Sequence, residues 1–308
     1  MLRQSLLWAS RNPWLAHRLP RYRFMRRAVR RFLPGEDAEA ALGEGAHLKE
    51  GGMTVLLTRL GENVRTQEEA DRVAAHYLEV LDRALARSID AQLSVKLTQL
   101  GLDLGPETAL RNVRSLVERA AALHSLVWID MEGSPYTDVT LDLFRRIRAE
   151  HPAVGVCLQA YLHRSERDLE SLLPLRPSIR LVKGAYAEPS SIAFPRKAEV
   201  DANYRKLAAR LLEEAGPDGR VWPAFGTHDP RLIQDLREAA DSRGLDPSAY
   251  EFEMLYGIGR ERQARLAADG YRMRVLISYG DAWFPWYMRR LAERPANLGF
   301  VVRSLFSS

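Results

Sequence analysis

Residues 53–97 read MTVLLTRLGENVRTQEEADRVAAHYLEVLDRALARSIDAQLSVKL and contain one complete strand–helix–strand unit. The apolar run Met53–Thr58 is short and lacks polar alternation, as a parallel strand covered on both faces does. A capping box follows, with Thr66 three residues before Glu69. Gln67–Ala86 then places Ala70, Val73, Ala74, Tyr77, Leu78 and Leu81 at helical spacing. A second β-like run, Gln92–Leu97, closes the unit. Between the first run and its helix stands Leu60-Gly61-Glu62-Asn63-Val64. That is not the glycine-rich phosphate loop that commonly follows the first strand of a doubly wound sheet.

Working outward, the unit recurs. Further β-like runs are Leu126–Met131, Val154–Tyr161, Ile179–Lys183, Val221–Gly226, Tyr250–Leu255 and Met273–Ser278. Helical patterns lie between them. Pro106 stands where a first helical turn tolerates proline, and Asp138 precedes Leu141, Phe144 and Ile147. Ser165–Leu173, Arg196–Ala215, Pro230–Arg243, Glu261–Ala268 and Trp283–Arg294 complete the set. Eight such pairs in about 240 residues predict an α/β fold of the (β/α)8 barrel type, with a doubly wound open sheet as runner-up. The chain then divides into a basic, amphipathic helical arm, residues 1–46, and a barrel domain, residues 47–308.

Composition bounds the function. The 308 residues are 46% hydrophobic and 28% charged, which excludes a disordered or collagen-like chain. The apolar runs fall far short of the ~20 residues that cross a bilayer. Cys157 stands alone, which excludes an intramolecular disulfide and a multi-cysteine zinc site. The net charge of +5 is uneven: residues 1–35 hold nine arginines and no Asp, Glu or Lys, leaving −4 for the rest. Leu6, Leu7, Trp8, Trp14, Tyr22, Phe24 and Phe32 interleave with those arginines. Such a segment suits an anionic membrane surface, and an ordinary basic helix packed on its own domain explains it equally well. Nucleic-acid binding would rest on this segment alone, with no reading module to support it, and is not predicted.

A barrel of this type carries its active site at the C-terminal strand ends. Read in order, strand one leads to Glu62, strand two ends at Lys96 and strand three at Asp130 with Glu132. Strand four carries Gln159 and Tyr161, and strand five Arg180 and Lys183. Strand six ends at Thr227-His228-Asp229, and strand seven carries Glu251 and Glu253 and ends at Tyr256. Arg289, Arg290 and Glu293 follow on the last helix. Ionisable groups inside apolar runs are rarely buried without a partner. Structural ion pairs plugging the mouth explain any one of them as well as function does, but not all of them together. Lys96, Arg180, Lys183, Arg289 and Arg290 around one cavity predict an anionic ligand, a carboxylate or a phosphate. No metal site is predicted: of the seven histidines only His228 falls at a strand end, and no His-x-His occurs. No Gly-x-Ser-x-Gly elbow supports a serine hydrolase. A Schiff-base lyase using Lys183 or Lys96 is the competitor from another enzyme class.

Together these ends resemble a known family. The segments are Ser94-Val95-Lys96-Leu97, Ile129-Asp130-Met131-Glu132, Leu158-Gln159-Ala160-Tyr161-Leu162 and Arg180-Leu181-Val182-Lys183-Gly184-Ala185-Tyr186. Gly226-Thr227-His228-Asp229, Phe252-Glu253-Met254-Leu255-Tyr256-Gly257 and Arg289-Arg290-Leu291-Ala292-Glu293 follow. In this order, over roughly residues 50–303, they resemble the short bacterial monofunctional proline dehydrogenases. The resemblance implies a distorted barrel holding FAD non-covalently and oxidising L-proline to Δ1-pyrroline-5-carboxylate. It implies electrons passed to a membrane quinone, a pyrroline-5-carboxylate dehydrogenase as pathway partner, and a cytoplasmic enzyme peripheral on the inner face of the membrane. By the same resemblance, Lys96, Arg289 and Arg290 clamp the substrate carboxylate, Asp130 and Arg180 flank the reacting centre, and Glu62 pairs with an arginine of the last helix. Met131, Gln159, Lys183, Gly184, Ala185, Thr227 and His228 contact the flavin. The sequence departs from the family pattern at Leu276, where a substrate-packing tyrosine is expected, and at Trp286, also in place of tyrosine. It departs again at Glu253, in place of glutamine. Those departures leave the reaction type intact and open the ring substrate to a related cyclic amino acid such as hydroxyproline.

Overall fold

The first strand of the sheet has two neighbours. In the computed structural model, which describes residues 12, 14, 18, 22, 29–216, 221–284 and 286–288, β1 (Thr54–Arg59) lies between β2 (Ala91–Val95) and β8 (Arg272–Tyr279), parallel to both. β3 (Val127–Ile129), β4 (Val154–Gln159), β5 (Ser178–Val182), β6 (Trp222–Gly226) and β7 (Glu251–Leu255) complete a closed parallel barrel in sequence order. The (β/α)8 expectation is met, and the open-sheet runner-up is excluded by the β1–β8 pairing, which runs from Thr54↔Arg274 to Arg59↔Tyr279.

Helices flank the strands. α1 (Ala38–Glu50) precedes β1, and α2 (Gln67–Ala86), α3 (Pro106–Ala122), α4 (Thr137–Glu150) and α5 (Ser165–Leu172) follow β1 to β4. α6 (Lys197–Glu214), α7 (Pro230–Asp241) and α8 (Arg260–Ala268) follow β5 to β7. The capping box at α2 forms as read: Thr66 Oγ1 accepts from the Glu69 N–H at 3.2 Å, and Glu69 accepts from the Thr66 N–H at 3.2 Å. β4 stops at Gln159, two residues short of the predicted run, because the Leu162 N–H turns back onto the Gln159 carbonyl at 3.1 Å. α1 runs through residues 46 and 47, and its Ala38, Ala41, Leu42 and Leu48 join the main core. Of the predicted helix Trp283–Arg294, residues 283, 284 and 286–288 are described, and they are helical. Among the described residues no helix is long and apolar enough to cross a membrane.

Alternation along the strands divides the apolar side chains into layers. Val55, Leu57, Val275 and Ile277 point outward and join the core between barrel and helices, where Tyr77 and Phe144 are fully buried. Removing such a side chain from water contributes about 1.5–3 kcal/mol. Leu56, Trp128 and Ala224 point inward and plug the barrel, with Leu276 packed against them. Gly155 faces the indole of Trp128, where a Cβ would stand 2.5 Å from the ring. A third cluster sits apart from both. In it Val29, Phe32 and Leu33 meet Leu60 after β1 and Trp283, Phe284, Tyr287 and Met288 after β8. Gly257, after β7, meets the same segment: with φ +76° it lies so close to Arg31 that a Cβ would stand 1.7 Å from the Arg31 carbonyl oxygen.

Candidate active site at the barrel mouth

Lys96 lies one residue beyond β2 and Asp130 one beyond β3. The Asp130 N–H bonds the Val95 carbonyl at 2.9 Å, which carries the β2–β3 ladder one step further and fixes the aspartate beside β2. Ser94, two residues before Lys96 on the same face, donates to Asp130 Oδ1 at 2.6 Å. Lys96 Nζ stands 3.7 Å from Asp130 Oδ2. From β5, Arg180 reaches across to the same carboxylate, donating Nη2 to Asp130 Oδ1 and, at 3.0 Å, to Ser94 Oγ. Its Cζ lies 5.5 Å from the centre of the Trp128 ring, and Nη1 meets Glu253 Oε2 at 3.4 Å. Arg180 is 3% exposed. Burial works against its charge, yet Asp130 and Glu253 hold the guanidinium protonated far above its ordinary range. Three strands thus bring Lys96, Asp130 and Arg180 together as the sequence predicted.

The next strand ends add polar groups of a different kind. Gln159 is buried at the end of β4 and donates Nε2 to the Met131 and Glu132 carbonyls at 3.2 and 2.9 Å. Glu132 is buried as well and accepts from the Thr98 N–H at 3.1 Å and its hydroxyl at 2.7 Å. Burial nevertheless raises its carboxyl above the ordinary range. Gly184 leaves β5 with φ +118°, a conformation strained for side-chain-bearing residues, and lies against the Tyr161 ring; Ala185 beyond it is exposed. Thr227 is buried after β6 and accepts from the Asp229 N–H at 3.1 Å. His228 Nε2 accepts from the Leu255 N–H at 3.1 Å, which leaves the imidazole proton on Nδ1.

Lys183 takes a direction the sequence did not announce. Its ammonium meets Asp201 of α6 at 2.5 Å and Asp229, the N-cap of α7, at 3.0 Å. Lys197 closes the group onto the same two carboxylates. Glu62 is half-buried in the loop after β1, within electrostatic reach of Glu132. Leu276 packs on the inward cluster with Trp128, whereas Trp286 packs on the cluster around Phe32, so these two of the three departures from the family pattern occupy separate surroundings. Arg289 and Arg290 lie outside the described residues. The sequence reading overlooked Ser94 as a partner and Trp128 as a platform. Inward alternation with Lys96 and Asp130 was the signal for both.

The sequence model described as proline dehydrogenase matches residues 41–303. Proline dehydrogenase 1 of Bacillus subtilis subsp. natto is 36% identical over 305 residues, covering 99% of each chain. Proline dehydrogenase of Deinococcus radiodurans is 38% identical over 280 residues, covering 89% of each. Among solved structures, proline utilization A of Bdellovibrio bacteriovorus, inactivated by N-propargylglycine, superposes with a TM-score of 0.81 at 25% identity over 95% of this chain. The match spans about a third, 36%, of that longer protein.

Proposed function

The chain belongs to the proline dehydrogenase family, and on that premise we propose that it oxidises L-proline to Δ1-pyrroline-5-carboxylate with FAD as cofactor and a membrane quinone as electron acceptor. The observation that carries this reading is the junction of Lys96, Asp130 and Arg180 inside one barrel mouth. A zwitterionic ring substrate needs a cation for its carboxylate and a carboxylate near its nitrogen, and the junction supplies both. Lys96 binds the substrate carboxylate together with Arg289 and Arg290. Asp130 orients Lys96 and anchors Arg180, and Glu62 closes the site against the last helix.

The residues present suit the flavin. Gln159 at the end of β4, Arg180 on β5 with Lys183 just beyond it, and Thr227 with His228 beyond β6 set polar groups on three neighbouring strand ends. Met131, Gln159, Lys183, Gly184, Ala185, Thr227 and His228 would hold it. When bound, it supplies acceptance of the hydride that leaves the ring carbon next to nitrogen. Arg180, fixed before the reaction starts, places positive charge where negative charge accumulates. Burial of that arginine among paired groups keeps water from screening it.

Residues 1–35 serve as an arm contacting an anionic membrane surface that carries the quinone. The catalytic domain begins with α1, whose Ala38, Ala41 and Leu42 belong to the main core and not to an arm ending at residue 46. Trp14 and Tyr22 support this, being 62% and 51% exposed, with the Arg18 guanidinium 5.4 Å from the Trp14 ring centre. The enzyme is cytoplasmic and peripheral on the inner face of the membrane, and a pyrroline-5-carboxylate dehydrogenase takes its product. The Schiff-base reading is disfavoured because Lys96 and Lys183 both sit in ion pairs with carboxylates and not in apolar pockets. The test is the visible spectrum of the purified protein and its reduction of a dye with a panel of cyclic amino acids. Flavin absorbance and proline-dependent reduction are expected. A colourless protein that reduces nothing would overturn the proposal.

A further inference from the structure

Glu253 is 4% exposed, inside the barrel below Arg180. One of its oxygens accepts from Arg180 at 3.4 Å. The other, Oε1, is buried and faces no N–H or O–H donor among the described residues. Glu251, two residues back on the same face of β7, brings its carboxyl within hydrogen-bonding reach. Glu251 is fully buried and engaged elsewhere, accepting from Arg274 Nε at 3.1 and 3.2 Å. Arg274 in turn meets Asp90 at 3.3 Å and the Val55 carbonyl at 3.0 Å. Charged groups therefore run without a break from the mouth to the base of the barrel.

Among the buried carboxyl groups along this run, Glu253 is the one least well supplied with donors. Lys96, Arg180 and Arg274 supply three positive charges against the four carboxyl groups of Asp130, Glu253, Glu251 and Asp90. Asp130 has Ser94, Lys96 and Arg180 as partners, Glu251 has Arg274 twice, and Asp90 is exposed. Glu253 has one long contact and an oxygen without a donor. Two neighbouring carboxyl groups can share a proton, which stays on the one with fewer donors to stabilise its charge. The other titratable groups around it are the Cys157 thiol, beside Arg180 on β4, and the Tyr204 phenol from α6. Burial raises both, so neither adds charge near neutrality.

We propose that Glu253 is a positioning residue for Arg180 that works as a neutral acid: its carbonyl oxygen seats the guanidinium, its proton is shared with Glu251, and loss of that proton slows the reaction. Burial pushes the Glu253 carboxyl up to about 8, with Arg180 pulling down and Glu251 pushing up. Above that pH a second carboxylate would face Arg180 and offset the charge it presents to the mouth. The kinetic part of this inference rests on the proline dehydrogenase reading; the protonation part does not.

Glu253→Gln keeps the shape of the neutral acid and removes its proton. Because the folded carboxyl holds its proton more tightly than the unfolded one, wild-type stability falls as pH rises from about 4.5 to about 8 and then levels. The Tm advantage of Glu253→Gln over wild type is therefore expected to widen across that interval and stay constant above it. With proline and a dye, wild-type kcat/KM is expected to fall about tenfold more than that of Glu253→Gln between about pH 7 and pH 9.5. A Tm difference that does not change with pH overturns the neutral acid. Equal pH–rate ratios in the two proteins overturn the positioning role. Should the variant not fold, wild-type infrared spectra decide: a buried carboxylic-acid band that vanishes between about pH 7 and pH 9 supports the proposal, and its absence at pH 7 overturns it. Failure of the functional reading shows separately, as a wild-type protein that reduces no dye with proline at any pH.

Discussion

Removing the Asp130 carboxylate would leave Arg180, 3% exposed, with the 3.4 Å contact to Glu253 as its remaining acidic contact among the described residues. A buried charge stripped of its partner typically costs about 3–5 kcal/mol. Asp130→Ala is expected to lose that much in urea unfolding, besides losing turnover; a loss below about 1 kcal/mol would show that Arg180 finds solvent or another carboxylate. Leu276 poses a different question at the same scale. It packs on Trp128 and Ala224, an apolar side chain shorter than a tyrosine, and under the proposed function it would line the ring of the substrate. Wild type is expected to accept bulkier or more apolar ring substrates alongside proline, and Leu276→Tyr to shift the ranking toward proline by tens-fold, since a methylene-sized contact is worth about 1–3 kcal/mol. Identical kcat/KM ratios for proline, hydroxyproline and larger rings in both proteins would show that Leu276 does not shape the pocket. Lys96 and Asp130 were legible as ionisable groups at the ends of apolar runs; Ser94 and Trp128 share their inward faces by alternation and were overlooked. Gly155 was not legible, because the close approach of the Trp128 ring belongs to the partner strand.

The start of α7 joins helix capping to the charge layout behind β5. Asp229 Oδ1 accepts from the Arg231 N–H at 3.1 Å, with Pro230 in the first turn, while Oδ2 faces Lys183 and Lys197. Burial pushes this carboxyl up, but the Lys183 hydrogen bond and charge, with the Arg231 N–H and Lys197, hold it well below the ordinary aspartate range. A group lowered on folding stabilises above its unfolded value of 3.8 and loses that contribution as pH falls below it. Asp229→Ala is expected to cost about 1 kcal/mol for the cap, plus the ion pairs, near pH 6. The difference from wild type should shrink steadily below about pH 4 in urea titrations; a gap that stays constant would show that the charge of the Asp229 carboxylate adds no stability. Strand order and most helix limits were legible because periods of two and 3.6 are local properties. The partners of Lys183 were not. Asp201 and Asp229 arrive from α6 and the turn before α7, and alternation cannot say whether a lysine beyond a strand end turns inward or toward the helices. The Arg274–Glu251 pair at the base was missed for a simpler reason, since attention to strand ends leaves strand starts unread.

At the scale of the molecule, the arm has a seated part and a basic part. Val29, Phe32 and Leu33 are buried against the last helix, and the Trp283 indole N–H donates to Glu36 at 3.0 Å. A deletion ending at residue 28 removes seven arginines and spares that seat. Each arginine near an anionic leaflet is worth about 1 kcal/mol before screening. The deletion is expected to abolish binding to anionic liposomes, which high salt weakens in the full chain, while Tm stays unchanged. Equal liposome binding by both proteins would sink the membrane assignment. The seat also has a consequence in time. The partners of Val29 and Phe32 are Trp283, Phe284 and Tyr287, and the strand that closes beside β1 is β8. A chain emerging from the ribosome makes the arm first and its partners last. Until β8 and the residues after it are released, β1 has one side of its backbone unpaired and the arm's apolar residues have little beyond Leu60 to cover them. Such long-range closure is slow compared with local helix formation. Any product of broken translation therefore carries an open strand edge and a bare apolar segment together, the two features that chaperones and proteases meet in unfinished proteins.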